Sequence, residues 1–167
     1  RRGRISEYAK EFSSATFVAS DSSLDHNPLW AINADCAFPS ATQNEINEQD
    51  AKNLMVNNVG LVAEGANMPT TAAGVDIFLE KGILYGPGKA ANAGGVSVSG
   101  LEMSQNSMRI AWSREEVDER LKGIMNSIHT SCANAADEYG TPGNYVNGAN
   151  IAGFLKVANS MLDQGLV

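Results

Sequence analysis

Little in this sequence can hold a metal or run thiol chemistry. Its 167 residues include only two cysteines and two histidines. Cys36, Cys132, His26 and His129 stand too far apart in the chain to form any ligand spacing. Two distant thiols read as reduced and buried, and two isolated histidines build neither a Ser-His-Asp nor a Cys-His arrangement. Positive charge is also short: 12 Lys and Arg against 19 Asp and Glu leave a net charge of -7, which excludes the basic footprint of a nucleic-acid binder. No apolar run approaches the roughly 18 residues needed to cross a bilayer. No signal peptide is read at its start either. The chain opens Arg1-Arg2-Gly3-Arg4 without an initiator Met, a start that reads as internal to a longer protein. The expectation is a cytoplasmic domain, or part of one, with neither nucleic acid nor membrane as partner.

What is present is a repeated order of strand, polar turn and helix. Residues 4 to 12 carry Ile5, Tyr8, Ala9 and Phe12 at helical spacing, and residues 19 to 30 form a polar loop. An apolar strand is predicted from Ile32 to Phe38, ending in the turn Pro39-Ser40-Ala41-Thr42-Gln43-Asn44. Asn47 caps a helix with Glu48 and Asp50 in its first turn and Ala51, Leu54 and Met55 on its apolar side. Leu61 to Ala63 is the next strand and Glu64 to Pro69 the next turn. Thr70 or Thr71 caps a helix that buries Val75, Phe78 and Leu79 and stops at Gly82. A third strand, Ile83 to Tyr85, runs into Gly86, Pro87 and Gly88. Three such units imply parallel strands with helical crossovers. Ligands in such sheets sit beyond the carboxyl ends of the strands, here 40 to 44, 64 to 68 and 86 to 95.

From about Ala90 only helices are predicted. One runs through Leu101, Met103, Met108 and Trp112, and Ser113 with Glu116 makes a capping box for the next. Val117, Leu121, Ile124, Met125, Ile128 and Cys132 give that helix a core stripe. Asn147 or Asn150 caps a last helix with Ile151, Phe154, Leu155, Ala158 and Leu162 on one face.

Gly94 and Gly95 near a helix start are locally unfavourable, by about 1 kcal/mol each relative to Ala. Either helix packing or the close approach of a ligand to bare backbone explains them. Gly86-x-Gly88-x-x-Ala91 fits a loose dinucleotide fingerprint, but Pro87 interrupts it and no acidic residue ends a strand some 20 positions on. A Walker A reading of Gly88-Lys89 fails, because Ile83 and Ala90 stand where Gly and Ser or Thr are required. Lys89 reads as a solvated or phosphate-facing lysine ahead of a catalytic amine. Glu64 suits a base and a structural carboxylate equally.

Taken together, Pro39-Ser40-Ala41-Thr42-Gln43-Asn44-Glu45, Ala63-Glu64-Gly65-Ala66-Asn67-Met68-Pro69-Thr70-Thr71, Pro87-Gly88-Lys89-Ala90-Ala91-Asn92-Ala93-Gly94-Gly95-Val96 and Ser99-Gly100-Leu101-Glu102-Met103-Ser104-Gln105-Asn106-Ser107 occur in order. This combination resembles the carboxyl-terminal part of a hexameric, NADP-linked glutamate dehydrogenase. The likeness runs from Arg2 to the end and is weakest from Ala15 to Leu29. It implies an α/β fold: the carboxyl-terminal portion of a Rossmann-like, doubly wound parallel sheet. That portion forms a partial dinucleotide-binding domain over residues 1–100. A helical segment over 101–167 then packs toward a substrate domain that the chain lacks.

By the same resemblance Ala41, Thr42 and Gln43 lie against the nicotinamide and its ribose, Asn67 faces that ribose, and Asn92 bonds the nicotinamide carboxamide. Val96 lines the glutamate pocket and Ser99 donates to the substrate's side-chain carboxylate. The cofactor is NADP or NAD. The partners are L-glutamate, 2-oxoglutarate and ammonium, with a homohexamer as the assembly and no metal. The family's catalytic lysine and acidic proton-transfer residue belong to a preceding segment, as does its pyrophosphate loop, so the chain alone is expected to be inactive. Two rivals stand beside this reading. One is a branched-chain or aromatic amino-acid dehydrogenase of the same superfamily, against which Ser99 and the Gly100 to Gln105 run speak. The other is a non-catalytic nucleotide-binding fragment. Leu155, Phe154 or Met161 is expected to be partly bare, with aggregation or binding of hydrophobic dyes as the consequence.

Overall fold

The computed structural model of the chain describes residues 3–19, 21 and 23–165. Arg1, Arg2, Ser20 and Ser22 of the sequence reading above, and the final Leu166 and Val167, lie outside them. A short helix, α1 (Ile5–Glu11), forms where periodicity places it, yet it buries none of its residues. Asn27 then starts a 3-10 helix, Pro28–Ala31, with its side-chain oxygen accepting from the Leu29 amide. Trp30 is buried there and its indole N–H donates to the Glu45 carbonyl at 3.1 Å.

The sheet is parallel, in the order β1 (Cys36–Ala37), β2 (Leu61–Ala63), β3 (Leu84–Gly86). Cys36 pairs with Leu61, and Val62 with Tyr85, in register. β1 is shorter than the predicted run from Ile32 to Phe38. It pairs on one edge only, and Ile32 and Phe38 at the ends of that run are exposed. Side chains alternate between faces. Ala37, Val62 and Tyr85 join Ile46, Ala51, Leu54, Val59 and Phe78 in one closed core. Leu61, Ala63 and Leu84 face the other way, into an apolar cleft of about 420 Å³ that Met125 and Ile128 also line.

Two crossover helices cover the closed face. α2 (Glu48–Val56) begins at a capping box: Asn47 accepts from the Asp50 amide and Asp50 accepts from the Asn47 amide. Asp50 is 2 % exposed, and its second oxygen takes the Asn27 amide at 2.7 Å, tying the preceding loop to the helix. α3 (Ala72–Lys81) starts at Thr71, whose side chain makes no cap, and stops at Gly82 with φ of 70°. That left-handed conformation suits glycine, as expected.

The helical run expected from Ala90 to Trp112 divides. α4 (Gly88–Ala91) ends at Asn92, and α5 (Ala93–Met108) ends one residue before Arg109, which is left-handed with φ of 57°. The Trp112 amide instead donates to the Gln105 side chain at 2.6 Å. α6 (Arg114–Glu138) carries the expected Ser113–Glu116 capping box. Its stripe is only partly core: Cys132 is buried, while Val117, Leu121, Ile124, Met125 and Ile128 are half-buried. α7 (Tyr145–Gln164) is capped by Asn144, which accepts from the Asn147 amide at 3.0 Å. Neither Asn147 nor Asn150 is the cap, because the turn at Gly143 (φ 79°) brings the chain into helix earlier. Phe154 and Met161 are exposed, as expected, and Leu155 is half-buried.

Candidate functional site

Three turns leave the carboxyl ends of the three strands, and backbone hydrogen bonds join the first two. The Pro39 carbonyl accepts from the amides of Gly65 and Ala66 at 2.9 and 3.1 Å. The Asn44 amide donates to the Met68 carbonyl at 3.0 Å, and the Ile46 amide to that of Pro69 at 2.9 Å. A Cβ at Gly65 would lie 2.3 Å from the Ser40 hydroxyl, so glycine is what lets the first two turns touch. Within the first turn the Glu45 carboxylate accepts from the amides of Ala41 and Thr42 at 3.3 and 3.4 Å.

Ala41, Thr42 and Gln43 are exposed and line one side of a polar cleft of about 380 Å³ whose other side is Gly65, Ala66 and Asn67. The third turn reaches the same place through a side chain. Nδ2 of Asn92 donates to the Ala66 carbonyl at 3.1 Å and to Oδ1 of Asn67 at 2.6 Å. Thr42, Asn67 and Asn92 therefore belong to one connected surface. Val96 and Ser99 follow on α5 at positions four and seven beyond Asn92, so all three share a helix face. Val96 is 72 % exposed, and the Ser99 hydroxyl makes a long 3.3 Å bond back to the Gly95 carbonyl.

Gly94 and Gly95 answer differently to the question of packing. A Cβ at Gly94 would only just reach Leu121 and Met125 at 4.0 Å, and one at Gly95 would meet nothing within 4 Å among the described residues. Packing inside the chain does not require the pair.

Glu64 is 3 % exposed and reaches two backbone amides, Thr70 at 3.2 Å and Gly88 at 2.6 Å. Of its two sequence readings the structural one holds, since both oxygens are engaged inside the fold. The same bond settles the fingerprint at Gly86 to Ala91. The Gly88 amide that a pyrophosphate would need already serves a carboxylate, and a phosphate there would face that negative charge. Tyr85 packs beside Glu64 with its ring 5.5 Å from Phe78. Burial first, and the Glu64 carboxylate second, push its phenol far above the ordinary range. Lys89 is exposed and donates to the Asn150 side chain, which joins α4 to α7. Sequence reasoning missed the Ala66 carbonyl and the Glu45 carboxylate. The second had a signal, an acid four residues after Ala41 in a turn with free amides. Among the described residues no acidic, His or Cys group is arranged to hold a metal.

Residues 1–165 match the family model of the glutamate/leucine/phenylalanine/valine dehydrogenases. The chain is 51% identical over 167 residues to the NADP-specific glutamate dehydrogenase of Giardia intestinalis, covering all of this chain and 36% of that protein. It is equally, 51%, identical over 163 residues to the NAD-specific glutamate dehydrogenase of Bacteroides fragilis, covering 98% of this chain and 35% of that one. A crystal structure of Plasmodium falciparum glutamate dehydrogenase superposes with a TM-score of 0.91 at 46% identity, over 99% of this chain and 34% of its own. The chain thus spans about a third of the length of the relatives it matches. Because that family model covers nearly the whole chain, the chain belongs to the glutamate/leucine/phenylalanine/valine dehydrogenase family.

Proposed function

We propose that the full-length protein is a glutamate dehydrogenase in which this chain supplies the nicotinamide end of the coenzyme site and one wall of the glutamate site. The observation that carries the reading is the Asn67–Asn92 pair. Its polarity follows from the backbone. The Ala66 carbonyl can only accept, so Asn92 turns Nδ2 toward it, and Asn67 meets that same Nδ2 with Oδ1. Oδ1 of Asn92 and Nδ2 of Asn67 are left for a ligand. One acceptor and one donor side by side fit the NH2 of a nicotinamide carboxamide and the hydroxyl of its ribose. Ala41, Thr42 and Gln43 close the opposite wall. The bare backbone at Gly95, which the chain's own packing leaves open, suits close approach of a flat ring.

A bound nicotinamide coenzyme would supply the hydride acceptor for a reversible oxidation of glutamate at its α-carbon, after which one water hydrolyses the resulting imine to 2-oxoglutarate and ammonia. The residues of this chain orient rather than react. Val96 packs on the substrate's methylenes, and Ser99 exchanges its long bond to the Gly95 carbonyl for a shorter one to the side-chain carboxylate. The catalytic lysine and acid come from outside this chain, which alone is inactive. The coenzyme is NADP or NAD. Equal likeness to an NADP-specific and an NAD-specific relative supports a choice made elsewhere in the protein. The assembly is a cytoplasmic homohexamer. Residues 1–100 form part of the dinucleotide domain, and residues 101–167 turn toward the substrate domain.

The test is hydride transfer by the full-length protein with L-glutamate, and no turnover ends the reading. Ser99→Ala then discriminates within the family. Loss of a donor to a carboxylate costs about 1.5–3 kcal/mol, a rise in the KM for glutamate of roughly ten- to hundredfold. An equal effect on leucine or phenylalanine turnover transfers the assignment to an apolar substrate.

A further inference from the structure

We propose that Glu64 is a positioning residue for the coenzyme, fixing the Asn67–Asn92 pair although it touches no ligand itself. The inference rests on the function proposed above and adds a residue to the same site. The loop from 64 to 70 holds Asn67 at its outer end. The Glu64 side chain closes that loop across its base by accepting the Thr70 amide, and its other oxygen accepts the Gly88 amide, the first of α4. α4 is only four residues long and ends at Asn92. One buried carboxylate therefore ties the base of the loop that bears Asn67 to the start of the short helix that ends at Asn92.

Two further observations show that the loop needs holding. Met68, inside it, is left-handed with φ of 49°, a conformation unfavourable for a residue with a long side chain. Such strain persists only where the surroundings over-determine it. Gly88 approaches the loop so closely that a Cβ there would lie 2.7 Å from the Ala66 carbonyl, the acceptor that orients Asn92. A neutral amide cannot replace Glu64. Gln presents one acceptor and one N–H2, so it would set a donor against one of the two backbone donors. Asp keeps both oxygens but is one methylene too short to span them.

The experiment uses the full-length enzyme with Glu64→Gln and, separately, Gly88→Ala, which disturbs the same contact from the other side. Both are measured for KM of coenzyme and of glutamate, for kcat, and for coenzyme affinity by fluorescence titration without turnover. The expected result is a rise of roughly tenfold or more in coenzyme KM and dissociation constant, with glutamate KM within about twofold of wild type. A merely structural Glu64 would lower the yield or melting temperature and leave the kinetic constants of the folded fraction unchanged, which overturns the proposal. So does an equal change in both KM values. If Glu64→Gln is recovered unfolded, Gly88→Ala decides by the same criterion. A wild-type enzyme inactive on glutamate refutes the functional reading instead; an active one with unshifted variants refutes only the role of Glu64.

Discussion

Residues 28–92 and residues 93–164 are built on different terms. The first stretch closes its own core: Ile46, Ala51, Leu54, Val62 and Phe78 are essentially without exposure. The second buries only small groups. α5 has no fully buried residue, α6 buries Cys132, Ala135 and Ala136, and α7 buries Gly148. Of its large apolar side chains, Phe154, Met161 and Leu162 stand exposed and Leu121, Met125 and Ile128 are half-buried. Helices of both stretches carry apolar stripes at helical spacing, so the presence of a stripe does not tell the stretches apart. The difference teaches that a helical stripe does not by itself say how deeply its apolar side chains are buried. The chain spans about a third of its relatives' length.

The largest expected effect tests this contrast directly. Phe78, with no exposure, and Phe154, 69 % exposed, are the same residue in the two stretches. Phe78→Ala should cost about 3–5 kcal/mol in urea unfolding of this chain, and Phe154→Ala should stay within about 0.5 kcal/mol. Phe154→Ala should also reduce binding of a hydrophobic dye, which Phe78→Ala can only increase. Equal costs for the two would erase the distinction.

The same contrast explains what the sequence made legible. Where a cap or stop was readable its signal is local: Asn47 with Asp50, Ser113 with Glu116, and Gly82 all act within four residues, whereas Thr71 makes no side-chain cap and the last helix is capped by Asn144. The strand at Ile32 to Phe38 was over-read because its apolar residues suggest a longer ladder than one neighbour can pair, leaving only Cys36–Ala37. At the site, the convergence of the turns bearing Thr42 and Asn67 follows from strand order alone. The bond from Asn92 to Asn67 does not, because it joins residues 25 apart by side chains. Glu64 stayed open between base and structural carboxylate for the same reason: its second partner, Gly88, is 24 residues away.

A smaller effect, with opposite signs on one helix, sharpens the picture of the second stretch. α6 and α7 meet backbone to backbone at Gly148, where a Cβ would lie 2.0 Å from the Cys132 carbonyl oxygen. Backbone cannot step aside as a rotamer can. Gly148→Ala should therefore destabilise by about 1–3 kcal/mol, overcoming the gain of up to about 1 kcal/mol in helix propensity. At Gly153 a Cβ meets nothing within 4 Å, so Gly153→Ala should keep that gain and raise the urea midpoint. Two destabilised variants would mean that the helix pair tolerates no change anywhere on α7, and that the open face is not open.

The smallest effect lies in the alkaline range and compares one tyrosine from each stretch. Tyr85 sits in the closed core and its phenol is pushed beyond the usual range by burial, then by Glu64. Tyr145, at the start of α7, is raised to about 12, by burial first and by neighbouring Cys132 second. In the unfolded chain both phenols lose their protons near pH 10. Below that pH folded and unfolded states hold the same protons, and the stability linked to these groups is complete. Above it the unfolded chain releases protons that the folded chain keeps, so stability falls as pH rises. For Tyr145 the loss is complete near pH 12, whereas for Tyr85 it continues further. Ultraviolet absorbance of the tyrosinates should show the Tyr145 step vanish in Tyr145→Phe and move toward pH 10 in Cys132→Ala, with Tyr85 still protonated. If Tyr85 ionises before Tyr145, the sheet layer is the looser of the two and the contrast between the stretches is reversed.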